Sequence, residues 1–244
     1  MNKPLIPAGE LLRSSWDQFR NDWKFNLEGS VRFLIAGVMA AIPNAFLLKA
    51  DGSMSGGAAI VSIVLGIGGG VLALHASNSF THALLKKADG QTVTALDNNI
   101  GWKYFWPAIW VGVLQSLAVL GGFILLVIPG IWLAGRLAFS NIVLIDEDKR
   151  GTEALKRSSE LVKGRWWAIF WRSFVSVIVY GLLMMLISLI VGGIIGLIVG
   201  GITSPSSASS NAFGQMLSSV IQSIFIPLFM IFTVRLYKNL KATM

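Results

Sequence analysis

The stretch Phe174–Ile202, FVSVIVYGLLMMLISLIVGGIIGLIVGGI, contains no charged residue. A spanning α-helix needs about 20 apolar residues to cross ~30 Å of hydrocarbon at ~1.5 Å per residue. The run is therefore a membrane segment, long enough to extend past the bilayer. Its excess length predicts tilt, or a break near Gly192-Gly193. The rest of the chain has the same character. Of 244 residues 54% are hydrophobic and only 13% charged, against about 25% charged in soluble domains. Mean hydropathy is +0.68. This composition excludes disorder, a coiled coil and an ordinary soluble enzyme. Cysteine is absent, which excludes disulfides, zinc–thiolate sites and a thiol nucleophile.

Working outward, six apolar stretches are expected to span: Val31–Leu48, Ile60–Leu84, Phe105–Val127, Gly130–Ile145, Trp166–Ile190 and Ala212–Val234. The first and fourth are short. The predicted class is all-α, a single integral membrane domain over residues 1–244 with six transmembrane helices. The polar first thirty residues, with Glu10, Asp17, Asp22 and Glu28, do not resemble a secretory signal.

The connections sort by charge. Sixteen Lys and Arg fall in the N-terminus, the second and fourth connections and the C-terminus; only Lys49 falls on the other side. The positive-inside rule then predicts both termini to be cytoplasmic. The net charge of +8 reads as a basic inner face beside anionic lipid headgroups, not as a nucleic-acid surface. Trp16, Trp23, Trp102, Trp106, Trp166, Trp167 and Trp171 cluster near that face, where indole favours the headgroup boundary.

Two segments before outward-going spans read as amphipathic helices. Leu12, Trp16, Phe19 and Trp23 form one helical stripe flanked by Arg13, Asp17, Arg20 and Lys24. In Ala154–Lys163, Thr152 is the expected N-cap and Glu153–Arg157 an i,i+4 pair. Each segment fits either a helix in the interface plane or a cap on the bundle. Trp16, Trp23, Arg157, Lys163, Trp166 and Trp167 are the expected interfacial residues. Leu11-x-Arg13-Ser14-Ser15…Trp23 and Leu155-x-Arg157-Ser158-Ser159…Trp167 share one spacing. They suggest a threefold repeat of a surface helix plus a two-span hairpin, at residues 8–90, 91–150 and 151–244.

Pro129-Gly130-Ile131, Arg136-Leu137, Asp146 and Ala154-Leu155-x-Arg157-Ser158-x-x-Leu161-x-Lys163-Gly164-x-x-Trp167 together resemble the polytopic membrane domain associated with bacterial glycerophosphodiester phosphodiesterases. They are also similar to related YciC-like inner-membrane proteins. The resemblance implies a six-span protein of the prokaryotic plasma membrane. It does not imply phosphodiesterase activity, which belongs to a separate barrel domain with clustered His, Glu and Asp.

No Asp or Glu falls inside an expected span. That lowers a cation-coupled carrier and a carboxylate-based hydrolase. Arg136 is the sharpest positive feature, six residues into the fourth stretch and ~9 Å from its outer end. Its guanidinium suits an anion or lipid phosphate; the structural alternative is snorkelling or carbonyl capping. His75, Asn78 and His82 lie in a polar patch of the second span, suited to interhelical hydrogen bonds or to a polar path. Gly192, Gly196 and Gly200 form a small-residue stripe expected to pack. No metal or cofactor motif is present. The expected role is non-enzymatic: scaffold or accessory subunit in envelope or lipid homeostasis, with membrane lipids and a second copy or another membrane protein as partners. The alternative is a carrier or channel for a small anion or lipid-like molecule.

Overall fold

A computed structural model of the chain describes residues 5–46, 55–93, 99–200 and 208–244. Its regular elements are helices: α1 Ala8–Asn21, α2 Trp23–Phe46, α3 Gly56–Ala88, α4 Ile100–Lys103, α5 Phe105–Leu125, α6 Val127–Leu137, α7 Ser140–Glu147, α8 Thr152–Val162, α9 Trp166–Gly200 and α10 Ala208–Ala242. The all-α expectation holds. Six helical segments are long and apolar enough to cross a membrane: Trp23–Ile42, Gly56–Ala88, Phe105–Leu125, Val127–Glu147, Trp166–Ile194 and Leu217–Ala242.

Three expectations about local structure change. The long charge-free stretch does not break at Gly192-Gly193; α9 runs unbroken from Trp166 to Gly200, because glycine weakens a helix without removing a hydrogen bond. Gly192 has nothing within 4 Å of an added Cβ, so at Gly192 the stripe meets no helix of its own chain among the described residues. The fourth stretch is two helices, interrupted at Ala138-Phe139. Leu47 and Leu48, at the end of the first stretch, lie outside the described residues.

The chain forms two compact units: residues 1–20, 77–177 and 230–244, and residues 21–76 and 178–229. In the second, small residues set the spacing. A Cβ at Gly69 of α3 would lie 2.9 Å from the Ala36 carbonyl oxygen of α2. Gly37 of α2 faces Ser219 of α10 at 3.4 Å. Such contacts let helices approach closely where lipid supplies no hydrophobic drive. Arg32 pairs with Glu28 one turn earlier at 2.6 Å.

The first unit holds α4 to α8 whole. Its core surrounds α7, where Val143 and Leu144 are fully buried, with Leu84, Phe139, Leu161, Val162, Phe232, Leu236 and Leu240. The α5–α6 hairpin turns on one extended residue, Leu126 (φ −166°, ψ 156°). A turn that short needs close helices. At Gly122 an added Cβ would sit 3.0 Å from the Gly130 Cα. Pro129 stands in the first turn of α6, where its missing N–H costs nothing.

The break between α6 and α7 is bridged by one hydroxyl. Ser158 of α8 accepts from the Phe139 N–H (3.2 Å) and donates to the Arg136 carbonyl (2.9 Å). Both are backbone groups that an unbroken helix would have paired, and Ser158 is fully buried. We predict that Ser158→Ala destabilises the protein by about 1–3 kcal/mol, the cost of unsatisfied buried groups. Ser159→Ala, on the partly exposed side, should stay within about 0.5 kcal/mol. Thermal melts of the two variants in detergent check this.

The start of α8 also differs from expectation. Thr152 is its first helical residue, and Gly151 (φ 53°) occupies the N-cap without a side-chain bond. Arg157 does not pair with Glu153; it reaches Glu147 at 3.1 Å and Glu160 at 3.8 Å. The tertiary partner wins because Glu147 is an acid with a side chain only 13% exposed, and a buried carboxylate gains more from a cation than an exposed one.

Candidate functional site

The charged residues of the first unit converge on the end of α7. The Asp146 side chain is 8% exposed and accepts from Lys238 (3.0 Å), Lys241 (2.6 Å) and the Tyr237 hydroxyl (2.8 Å). Glu147 accepts from Arg157 (3.1 Å), Lys149 (3.1 Å) and Lys241 (3.2 Å). Lys238 also binds Asp89 at the end of α3 (2.9 Å). One helix end is thus tied to α3, α8 and the last turns of α10. Phe139 packs on the Tyr237 ring, centroids 6.0 Å apart, and aims the hydroxyl at the two acids. On the rim, Lys103 meets Asp148 at 3.6 Å. The Tyr104 hydroxyl beside it and the Asp148 charge hold the Lys103 ammonium above its usual range.

The chain ends fasten to the same unit. Arg172 donates to the Ile6 (2.8 Å) and Leu5 (3.1 Å) carbonyls. The Ile6 N–H donates to Asn239 (3.2 Å). Arg235 donates to Gln18 (2.6 Å), and Arg165 binds the carbonyl (3.0 Å) and hydroxyl of Thr243.

Arg136 lies in the last turn of α6. Its guanidinium sits over the Trp132 ring at 4.4 Å, a cation–π contact one turn back along its own helix. The Trp132 carbonyl accepts from the Trp166 indole at 3.1 Å. Beside them is a groove of about 810 Å³ lined by Ile128, Ile131, Trp132, residues 164–168 and Phe170. The lining is mostly apolar and aromatic, with Arg165 the charged member.

The other candidates fall apart from this. Asn78 is fully buried in α3, and neither its amide oxygen nor its nitrogen has a hydrogen-bond partner. His75 and His82 are part-buried on the same helix. The structure brings Arg136 to Trp132 and α8, not to this patch. Among the interfacial residues, Trp16 (44%), Trp23 (57%) and Trp167 (66%) are exposed, as is Lys163. Trp166 is part-buried, and Arg157 is a strut of the acid cluster instead of a free surface cation.

Sequence reading singled out Asp146 and Arg157 through the motif but missed Tyr237, Lys238, Lys241 and Glu147. The available signal was an acid pair at the end of an apolar stretch, set against a C-terminal helix with Tyr237, Lys238 and Lys241 on adjacent turns. Chemically the cluster is saturated: Asp146 already takes three donors and Glu147 four, the Tyr237 hydroxyl reaching it as well at 3.3 Å. No group of three or more His, Cys, Asp or Glu able to hold a metal occurs among the described residues.

No curated protein and no solved structure matches the chain. One family model does, that of the membrane domain of glycerophosphoryl diester phosphodiesterase, over residues 110–243. The match begins in α5 and ends at the close of α10, so it takes in both acids, Arg157, the Tyr237–Lys241 turn, Arg136 and the aromatic groove. It covers more than half of the chain, which therefore belongs to the family of the membrane domain of glycerophosphoryl diester phosphodiesterase.

Proposed function

We propose that this integral membrane protein is a non-enzymatic scaffold or accessory subunit of the prokaryotic plasma membrane, serving envelope or lipid homeostasis, with both termini cytoplasmic. One observation carries the reading. The acid-rich cluster at Asp146 and Glu147 spends its ionised groups on one another, the arrangement of a clasp that fixes helix ends. A general acid or base needs a free lone pair or proton facing a substrate. The sixteen-to-one division of basic residues supports the cytoplasmic termini, and the meeting of Ile6 with Asn239 supports their lying on one side. Reporter fusions after Gly90 and Gly151 should be active only with a cytoplasmic reporter, and fusions after Ser55 and Ser207 only with a periplasmic one. A periplasmic signal at Gly90 or Gly151 would refute this orientation. Anionic headgroups remain the proposed partners of the basic face; a second copy or another membrane protein would complete the scaffold.

The alternative, a carrier or channel for a small anion or lipid-like molecule, is favoured by Arg136 beside the aromatic groove. The two readings separate in one experiment. In a deletion strain, Arg136→Leu should restore the envelope phenotype fully if the protein is a scaffold, and its stability should fall by no more than the ~0.5–1 kcal/mol of an exposed cation–π pair. Normal accumulation with lost complementation would favour transport. Protein-dependent flux of phosphate or of a fluorescent phospholipid in proteoliposomes would overturn the scaffold reading.

A further inference from the structure

We propose that the α5–α6 hairpin does not cross the bilayer but lies in the membrane plane within the inner leaflet, its exposed stripe seated on acyl chains. The side, inner as against outer, rests on the orientation proposed above; the geometry does not.

Level marks within the first unit fix the heights of its helices. Arg165, just before α9, binds Thr243, just after α10. Two turns on, Arg172 binds Ile6, whose N–H is held by Asn239. The first turns of α9 and the last turns of α10 are therefore level and antiparallel. The α6–α7 rod touches both. Its Trp132 carbonyl meets Trp166 at the start of α9, and its Asp146 meets Lys238 and Lys241 at the end of α10. Those two points are fourteen residues apart; across the break at Ala138-Phe139 both segments stay against the single helix α5, so they run on in one direction and the points stand about 20 Å apart. A rod running alongside α9 and α10 would set its contacts at levels ~20 Å apart. Both contacts fall instead at the ends of these helices, so the rod lies across them.

The surroundings agree. The unit that contains α5 to α8 entire includes only residues 77–88 of α3, 166–177 of α9 and 230–242 of α10. Helix α8 exposes Thr152, Glu153, Lys156 and Glu160, and Lys163 just after it, yet its Ser158 is bonded at Arg136 and Phe139. A charged helix thus sits ten residues from the hairpin tip at Leu126. Ten residues are about 15 Å, half of a ~30 Å hydrocarbon core. Helix α7 is wrapped in protein, with Ile142 to Ile145 all buried, and presents no lipid-facing side.

What the hairpin does present is one continuous stripe. Trp106, Trp110, Val113, Leu117, Leu120 and Ile124 recur at i, i+4, i+7, i+11, i+14 and i+18, each at least 43% exposed. The stripe rounds the tip through Leu125–Ile128 to Ile131 and Trp132. Tryptophan stands at both ends, where interfacial indoles are favoured, and it continues into exposed Trp167, Trp171 and Phe174 of α9. Charge lies along the opposite, α8 side. An amphipathic layer of this kind buries its apolar side ~5–10 Å into the acyl boundary, and its occupant is the acyl chains of that leaflet.

The absence of native cysteine makes the test direct. Val113→Cys and Ile124→Cys are spin-labelled singly, and their depths are measured in phosphatidylethanolamine–phosphatidylglycerol vesicles from oxygen and nickel-chelate accessibility. Both point along the stripe, eleven residues and about 16 Å apart on the axis. An in-plane helix gives them similar depth. A crossing helix puts Val113 near the midplane and Ile124 at an interface, and that difference overturns the proposal. Sidedness is read separately with an impermeant maleimide on Ile128→Cys, Ser55→Cys and Gly90→Cys in intact and inside-out membranes. Modification of Cys at 128 from the face opposite Gly90, whichever face that is, refutes the in-plane hairpin. So does full modification from the Gly90 face, which would place the tip in water. Modification of Cys at 90 from outside refutes only the orientation, so the two failures are told apart.

Discussion

Asp146→Asn should lower the stability of the protein by about 3 kcal/mol, the lower end of the range for breaking a buried ion pair, or roughly 6–12 °C in melting temperature for a chain of this size. The change removes a charge and leaves volume almost constant, so packing is not the cause. Asp146 is the acceptor on which Lys238, Lys241 and Tyr237 converge. Neutralising it leaves Lys238 with only Asp89, whose side chain is 48% exposed, and Lys241 with only Glu147. Asp89→Asn is the internal control. It touches the same lysine from an exposed position, where ion pairs contribute ~0–1 kcal/mol. The triple variant Asp146→Leu, Lys238→Met, Lys241→Met should recover much of the loss, because it removes the stranded cations along with their acid. Melting in detergent, followed by tryptophan fluorescence, distinguishes these outcomes. Equal losses for Asp146→Asn and Asp89→Asn would show that the clasp is not what holds α7 to α10.

The Asp146 cluster also shows where the sequence was legible and where it was not. Long apolar stretches announce helices because only an internally bonded backbone survives in hydrocarbon, and all six expected stretches contain helices of the right kind. Hydropathy, however, is blind to what surrounds a helix. The run Gly130–Ile145 reads as one short span, but its second half is apolar because it is the centre of a protein core. Lipid and core demand the same residue types, so composition alone cannot separate them. Charge pairing was misread for a related reason. Glu153 and Arg157 satisfy the local i,i+4 rule, and that rule knows nothing of Glu147 arriving from α7. The Leu-x-Arg-Ser-Ser repeat has a similar weakness. The buried serine is the second of its pair in α1, Ser15, and the first in α8, Ser158, so aligned positions do different work. Arg136 was legible as unusual, and Trp132 four residues before it was a legible helical neighbour, but its setting beside Ser158 and the groove depends on contacts that no sequence spacing records.

The second large effect is expected at Gly151. Its backbone (φ 53°, ψ −126°) lies where a Cβ collides with the chain itself, a region essentially reserved for glycine. Holding a side-chain-bearing residue there costs of order 1–3 kcal/mol. The site is crowded as well: a Cβ would stand 3.3 Å from the Trp110 indole, and overpacking adds about 1–3 kcal/mol. Gly151→Val should therefore destabilise by roughly 2–6 kcal/mol, with Gly151→Ala nearer the lower end because only the first term applies fully. The effect should also travel. Asp148 to Gly151 form the turn between α7 and α8, and any rotation there moves Arg157 off Glu147 and Ser158 off the α6–α7 break. Limited proteolysis should accordingly cut the Gly151→Val protein between α7 and α8 well below its melting point, while Asp146→Asn should leave that turn protected. Gly112→Ala is the matched control: it stands on α5 near Trp110, with nothing within 4 Å of an added Cβ, and alanine in a helix should be neutral or up to ~1 kcal/mol stabilising. Similar losses at Gly112 and Gly151 would mean that crowding along α5, not the backbone of the turn, sets the cost.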